Sequence, residues 1–246
     1  MTGAALEAPV VRDLVWLPAP GTLPPGARAY AIGDVHGCAD RLRVLHAGIA
    51  ADFRARPADA VVIHLGDYLD KGDDPAAALD VLLAPAHGLP QVALRGNHEQ
   101  LLLDSIAGDR GALMDFLAWG GRTTLRSYAI PEDAPPGSWP ARLPASHLAL
   151  LHGLPLTHRL GGYVFAHAGI RPGVALGAQL PADLLGIRGT FLHDERDHGF
   201  AVIHGHTPFA EPQLRRNRIG LDTAAWSGGP LTCAVLEGDR VAFLTA

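Results

Sequence analysis

Apolar positions in the first half of the chain come in short blocks. RAYAIG (28–33), AVVIHLG (60–66) and QVALRG (91–96) are apolar runs that each end in glycine, and they read as buried strands. The segments between them carry helical spacing instead. CADRLRVLHAGIAADF sets Leu42, Leu45, Ile49 and Phe53 on one face, and PAAALDVLLA begins with Pro75 behind two aspartates that offer a cap. HEQLLLDSIA opens a third helix. Strand and helix in alternation predict a parallel β-sheet with covering helices.

The pattern then changes twice. Residues 109–160 mix short helical pieces with APPGSWP (134–140) and show no clear strand, so a mainly helical cap insertion is expected there. After it, GGYVFAH (161–167), GFAVIHG (199–205), QLRRNRIGL (213–221), LTCAVLE (231–237) and RVAFLT (240–245) read as strands. Turns as short as EGD (237–239) predict antiparallel pairing. Residues 1–27 hold Pro18, Pro20, Pro24 and Pro25 and are expected to form an extended arm before one domain over 28–246.

Composition narrows the class. A chain of 246 residues with 48% hydrophobic and 18% charged side chains can bury a substantial core. The net charge is −5, and the densest basic cluster, Arg215, Arg216 and Arg218 around Asn217, reads as a solvated loop. Neither feature suits a nucleic-acid partner. No run approaches the ~20 apolar residues that cross a bilayer, so no membrane partner is expected. Cys38 and Cys233 lack a CxxC partner and read as reduced thiols. With no basic, then apolar, leader at the start, they point to the cytoplasm.

The polar residues behind the strands carry the candidate chemistry. Strand one is followed by Asp34 and His36, strand two by Asp67, Asp70 and Lys71, and strand three by Asn97 and His98. Later strands deliver His167 and His206. In open α/β sheets ligands gather at the carboxyl ends of strands, so five distant segments would converge. Singly, each has an ordinary reading: Asn97 as an N-cap, the glycines as turn residues, a histidine as core or surface. His46, His87, His147, His152, His158 and His198 are read that way. Together, the strand-end residues form an imidazole and carboxylate set that suits manganese, iron or zinc. Its lack of cysteine argues against a purely structural zinc site. A carboxylate shared by two cations about 3.5–4 Å apart would activate water and clamp a phosphoryl group.

GDVHG, GDYLDKG, RGNHE, HAGI and VIHGHTP, in that order, resemble the signature of the calcineurin-like metallophosphoesterases. The likeness is to the phosphoprotein-phosphatase branch, with bacterial and bacteriophage serine/threonine phosphatases and diadenosine tetraphosphate hydrolases as relatives. It implies an α/β fold of two facing mixed β-sheets flanked by helices, with the site at one rim. By the same resemblance Asp34 and His36 serve a first divalent metal, Asp67 bridges, and Asn97, His167 and His206 complete a second. Manganese is expected, with iron or zinc as alternatives. His98 matches the residue that protonates the leaving alkoxide and Asp70 its acidic partner. Arg95 and Glu99 are expected to support their motif. Arg188 sits where a phosphate-binding arginine is expected, although Gly186 replaces the aromatic that precedes it. Lys71 stands where arginine is usual and predicts a weaker phosphate grip.

The implied activity is hydrolysis of phosphoserine and phosphothreonine in proteins, by direct attack of a hydroxide bridging the metals. The alternative substrate is a dinucleoside polyphosphate or another small phosphoester, with Trp119, Arg122, Arg126 and Trp139 of the insertion on a base. Packing is the favoured role for those four. A non-catalytic binding scaffold is least favoured, because every matched ligand and His98 remain.

Overall fold

The computed structural model describes residues 14–246, and its strands form two sheets. In chain order the strands are β1 (Leu17–Pro18), β2 (Ala27–Ile32), β3 (Asp59–His64), β4 (Gln91–Ala93), β5 (Thr157–Leu160), β6 (Tyr163–Ala166), β7 (Ala201–His204), β8 (Gln213–Leu214), β9 (Arg218–Gly220), β10 (Thr232–Glu237) and β11 (Arg240–Thr245). One sheet runs β1-β11-β10-β2-β3-β4 and the other β5-β6-β7-β9-β8. Both are mixed. The expected parallel unit is β2-β3-β4, with β10 antiparallel to β2 on its other side.

The helices are α1 (Ala39–Ala55), α2 (Pro75–Leu83), α3 (Asn97–Ile106), α4 (Arg110–Ala118), α5 (Gly121–Ser127), α6 (Ala145–Gly153), α7 (Pro181–Gly186) and α8 (Gly189–Leu192). Asp74 caps α2 by accepting from the Ala77 amide at 3.0 Å, ahead of Pro75 at the first helical position.

Strand alternation sorts the core into layers. In β2, Tyr30 and Ile32 face the helices with Leu42, Leu45 and Ile49 of α1. Ala29 and Ala31 face the other sheet, where they meet the large rings of Tyr163 and Phe165. Small side chains on one sheet thus make room for aromatic ones on the other.

Four expectations are corrected. QLRRNRIGL is a hairpin, β8 and β9, because its central polar residues turn and the Arg215 amide donates to the Arg218 carbonyl at 2.9 Å. Arg218 is buried rather than solvated, its guanidinium held by the carbonyls of Leu192 and Asp194. Antiparallel pairing holds for β10-β11, β5-β6 and β8-β9, but β6-β7 and β7-β9 are parallel. The stretch between β6 and β7, with α7 and α8, is long enough for such a crossover. Finally, the supposedly strand-free insertion ends in β5, an edge strand whose THRL sequence gives no apolar run.

The arm expected over 1–27 lies partly outside the described residues; within them, Leu17 and Pro18 pair with β11. No helix among the described residues is long and apolar enough to cross a membrane. Phe116, Leu125, Trp139 and Leu151, from residues 109–160, are buried in the same cluster as α1 and α2. The Trp139 indole also donates to the Ala134 carbonyl at 3.0 Å. Trp139→Ala should therefore cost about 3–5 kcal/mol of global stability. Denaturant unfolding followed by far-UV and fluorescence should stay one coincident transition; two separated transitions would show that this region folds independently.

Candidate metal centre

Five site residues have left-handed backbones: His36 (φ 43°), Asp67 (φ 53°), Asp70 (φ 66°), Lys71 (φ 63°) and His206 (φ 64°). A non-glycine residue there costs about 1–2 kcal/mol, so the surroundings must impose it. Glu99 does so for the loop after β3. Its buried carboxylate accepts from the amides of Asp67 (2.9 Å), Tyr68 (2.8 Å), Leu69 (3.1 Å) and Gly96 (2.9 Å). Burial and the Asp67 charge push the Glu99 acid up to about 7, against the pull of the Gly96 and Leu69 amides. Two glycines permit close approach: a Cβ on Gly205 would fall on Asp34 Oδ1, and one on Gly96 would fall on Asp67 Oδ1.

The loops bring the expected residues to one place. Asp67 is central, with Oδ1 3.3 Å from His167 Nε2 and Oδ2 3.4 Å from His36 Nε2 and 3.8 Å from His98 Nε2. Asn97 Oδ1 is 3.0 Å from His167 Nε2 and 2.8 Å from His206 Nδ1. Asn97 is thus the first residue of α3 rather than its cap, and its side chain turns into the site. Asp34 accepts the His206 amide at 3.0 Å.

The ring tautomers favour metal ligation. His36 donates from Nδ1 to the Leu69 carbonyl (2.8 Å), and His167 donates from Nδ1 to the Leu65 carbonyl (2.9 Å). Each ring then points its Nε2 lone pair at Asp67, and that of His167 also faces Asn97 Oδ1. Acceptors facing acceptors at about 3 Å repel unless a cation lies between them. The buried His206 Nε2 has no partner. Burial lowers His36 to about 3 and His206 to about 2, so both are neutral donors at pH 7. Burial pushes Asp67 up, but His167, His98 and His36 override it and hold Asp67 below the usual carboxylate range.

Two groupings fit a divalent pair: His36, Asp67 and His98, and Asp67, His167 and His206. Asp34 lies beside the first, turned to the His206 amide. Lys71 is not held over open space: its Nζ is 2.9 Å from His36 Nε2 and 5.2 Å from the Trp226 ring centroid. Its ammonium supplies positive charge where His36 and Asp67 invite it. Arg188 reaches Thr207 Oγ1 at 3.5 Å.

His98 is held apart from this set by Asp70, whose Oδ2 is 2.6 Å from His98 Nδ1. Asp70 is fixed in turn by Thr124, which donates to Oδ1 (2.5 Å) and accepts the Asp70 amide (2.9 Å). Burial pulls His98 down, yet Asp67 and Asp70 outweigh it and leave its pKa raised.

The calcineurin-like phosphoesterase family profile matches residues 27–240. The chain belongs to this family. Membership makes it a metal-dependent phosphoester hydrolase, and the converging donors fit that requirement. It is 25% identical over 223 residues to the asymmetrical bis(5'-nucleosyl)-tetraphosphatase PrpE of Anoxybacillus flavithermus, covering 82% of this chain and 87% of that one. It is 28% identical over 224 residues to serine/threonine-protein phosphatase 1 of Salmonella typhimurium, covering 85% and 91%. Among solved structures, a putative diadenosine tetraphosphatase aligns with a TM-score of 0.63 at 20% identity, over 92% of this chain and 98% of that one. That likeness speaks to the fold.

Sequence reasoning missed Thr124, Trp226 and Asp222. Asp222 is a buried carboxylate that, after burial itself, is the largest influence raising the Asp34 pKa. It follows β9 as Asp34 follows β2, so the strand-end signal was present in GLD. Thr124 left no signal, because a threonine inside a helix is ordinary.

Glu99→Gln would turn an amide NH2 toward backbone N–H groups and leave buried donors unpaired. We expect a loss of about 2–4 kcal/mol and of tight metal binding. Isothermal titration with Mn2+ alongside denaturant unfolding checks both, and wild-type values in either would remove Glu99 from this role. Gly205→Ala should displace Asp34 and weaken Mn2+ binding with little effect on the secondary structure seen by circular dichroism.

Proposed function

We propose that this chain is a manganese-dependent phosphomonoesterase acting on phosphoserine and phosphothreonine in proteins, in the cytoplasm. The observation that carries the reading is the charge of the cavity over the metal cluster. The cavity has a volume of about 530 Å3, with Asp67, Asn97 and His98 among its lining residues. Among the described residues, Lys71 and Arg188 are the lysine and arginine that line it. Beside His98 and the ions that the cluster would hold, these two side chains can grip the oxygens of a single phosphate, and no further lysine or arginine among the described residues lines the cavity for a polyphosphate bridge. The two free cysteines support a reducing compartment.

Asp34, His36 and Asp67 would hold one ion, and Asp67, Asn97, His167 and His206 the other. Bound there, the ions supply an activated water and neutralise phosphoryl charge. The chain's own groups do the rest. Lys71 and Arg188 hold phosphate oxygens, the lysine as a single mobile charge. His98 donates a proton from Nε2 to the leaving oxygen, and Asp70 keeps that ring oriented and charged through Nδ1.

A second reading has its own observation. Trp119 and Trp226, 49% and 44% exposed, line the same cavity and offer flat faces on which a nucleobase could stack. A dinucleoside polyphosphate would use them. Trp139 is withdrawn from that role because it is core, and Arg122 because it bonds Glu132 at 2.9 Å.

Product analysis with Mn2+-loaded protein separates the two. Inorganic phosphate from a phosphothreonine peptide, absent in Asp67→Asn, supports the first reading. Nucleotide products from diadenosine tetraphosphate alone, with KM raised about tenfold or more in Trp119→Ala, would replace it with the second. His98→Asn should slow esters with poor leaving groups far more than activated aryl phosphates, and equal losses would remove it as the acid. A protonated His98 is required, so activity falls as pH rises through its elevated pKa. Asp70→Asn lowers that pKa and should move the alkaline limb of the kcat profile to lower pH; an unmoved limb would contradict the pairing.

A further inference from the structure

Three histidines that seemed ordinary in the sequence, or drew no notice, meet away from the cavity just described. His46 lies on α1, His64 ends β3, and His87 sits in the loop between α2 and β4. All three are buried, and one ring nitrogen from each lies within 4.8 Å of the others. The His46 ring centroid is 5.3 Å from that of His64 and 4.7 Å from that of His87, both edge-on. In β3, Ala60 and Val62 face the helices while Ile63 faces the second sheet. His64 continues the helix-facing row, on the opposite face from Ile63.

Their polar atoms are unsatisfied. Both ring nitrogens of His46, both of His64, and Nε2 of His87 are buried without a partner. The Gln91 amide lies against His64 and His87. Its nitrogen donates to the Leu82 carbonyl at 2.6 Å, which fixes its orientation and leaves its buried Oε1 without a partner. Each such atom is costly to bury if nothing meets it. Burial lowers all three imidazoles below their ordinary pKa, His46 to about 3, so they are neutral at pH 7. Neutral imidazoles in an apolar layer do not make a proton relay or an anion site. They are ligands.

We propose that His46, His64 and His87 bind a divalent transition-metal ion of the zinc class, with Gln91 Oε1 or a water as fourth donor. Three imidazole nitrogens and one oxygen suit tetrahedral zinc, with bonds of about 2.0–2.1 Å and nitrogens about 3.3 Å apart. Small ring rotations bring the observed nitrogens to that spacing. One hydrogen bond opposes the change. His87 Nδ1 accepts the Leu89 amide at 3.1 Å, so its ring proton sits on Nε2. Ligation through Nε2 moves that proton to Nδ1 and gives up this bond, a small loss beside zinc–imidazole bonding. The ion would tie α1, the last residue of β3 and the α2–β4 loop together, close below the loop that carries Asp67. Structural zinc usually takes cysteine, but burial overrides that guide here: His46 and His64 are wholly buried and leave no room for substrate, so the ion would act as a cross-link.

The test compares full-length wild type with His46→Gln and His87→Gln after chelation, zinc loading and gel filtration. Wild type should retain one zinc equivalent more than either variant by inductively coupled plasma mass spectrometry. Mn2+-dependent phosphatase turnover, read at a temperature where all three are folded, should be unchanged. Asp67→Asn should keep the additional zinc, and its Tm should rise on zinc addition, whereas Asp67→Asn combined with His87→Gln should show no such rise. Equal zinc contents in all proteins would overturn the proposal. So would a zinc-edge anomalous map of the wild-type crystal with no peak among the three rings and an ordered water in its place. That map needs no variant, so misfolding of the substituted proteins cannot rescue the idea.

Discussion

Glu99 gathers four backbone amides, three of them consecutive in the loop after β3, and the geometry of the centre follows from that. Left-handed residues at Asp67, Asp70 and Lys71 would relax in an isolated peptide. Here the amides of residues 67–69 are turned toward one buried carboxylate, and the loop has no low-cost way to turn them elsewhere. Asp67 in turn accepts the His98 amide through Oδ1 at 3.1 Å, so the loop and the start of α3 lock each other. Asp67 and the start of α3 that carries His98 are therefore positioned by one buried carboxylate.

Electrostatics completes what the backbone begins. Four histidines surround Asp67, and two of them donate from Nδ1 to the carbonyls of Leu65, just past β3, and Leu69, in the loop that follows. The lone pairs left over converge on oxygens that are also acceptors. Such an arrangement is unfavourable alone and favourable around cations, so local structure specifies a cation before any ion is present. His98 is the exception. Asp70 draws its Nδ1 the other way, and with Asp67 it leaves this one imidazole with a raised pKa.

The segment between α3 and β5 is more than a cover. Thr124 of α5 brackets Asp70, the Gly120 carbonyl accepts the Lys71 amide at 3.4 Å, and Trp119 forms part of the cavity. The same helices bury Phe116 and Leu125 beside α1 and α2. The apolar side of this segment anchors it to the first sheet's helical layer, and its other side sets the acid and the rim.

The sequence by itself determined the strands that carry the site and the residues at their ends. Apolar runs closed by glycine are a local signal, and Asp34, His36, Asp67, Asn97, His98 and His206 all follow such runs, while His167 directly follows the run YVFA. Asp222 obeys the same rule, two residues beyond β9, but has no neighbouring histidine or second carboxylate to single it out. Tertiary structure alone decided the remainder. Asn97 could cap a helix or face a metal, and only the positions of His167 and His206 choose between them. Trp119 and Trp139 are alike in sequence, yet one is exposed at the cavity and the other is core, because burial depends on which helix face meets its neighbour. His46, His64 and His87 come from a helix, a strand and a loop with no shared spacing. Their meeting is a property of how α1 and the α2–β4 loop pack over β3, and no local pattern encodes it.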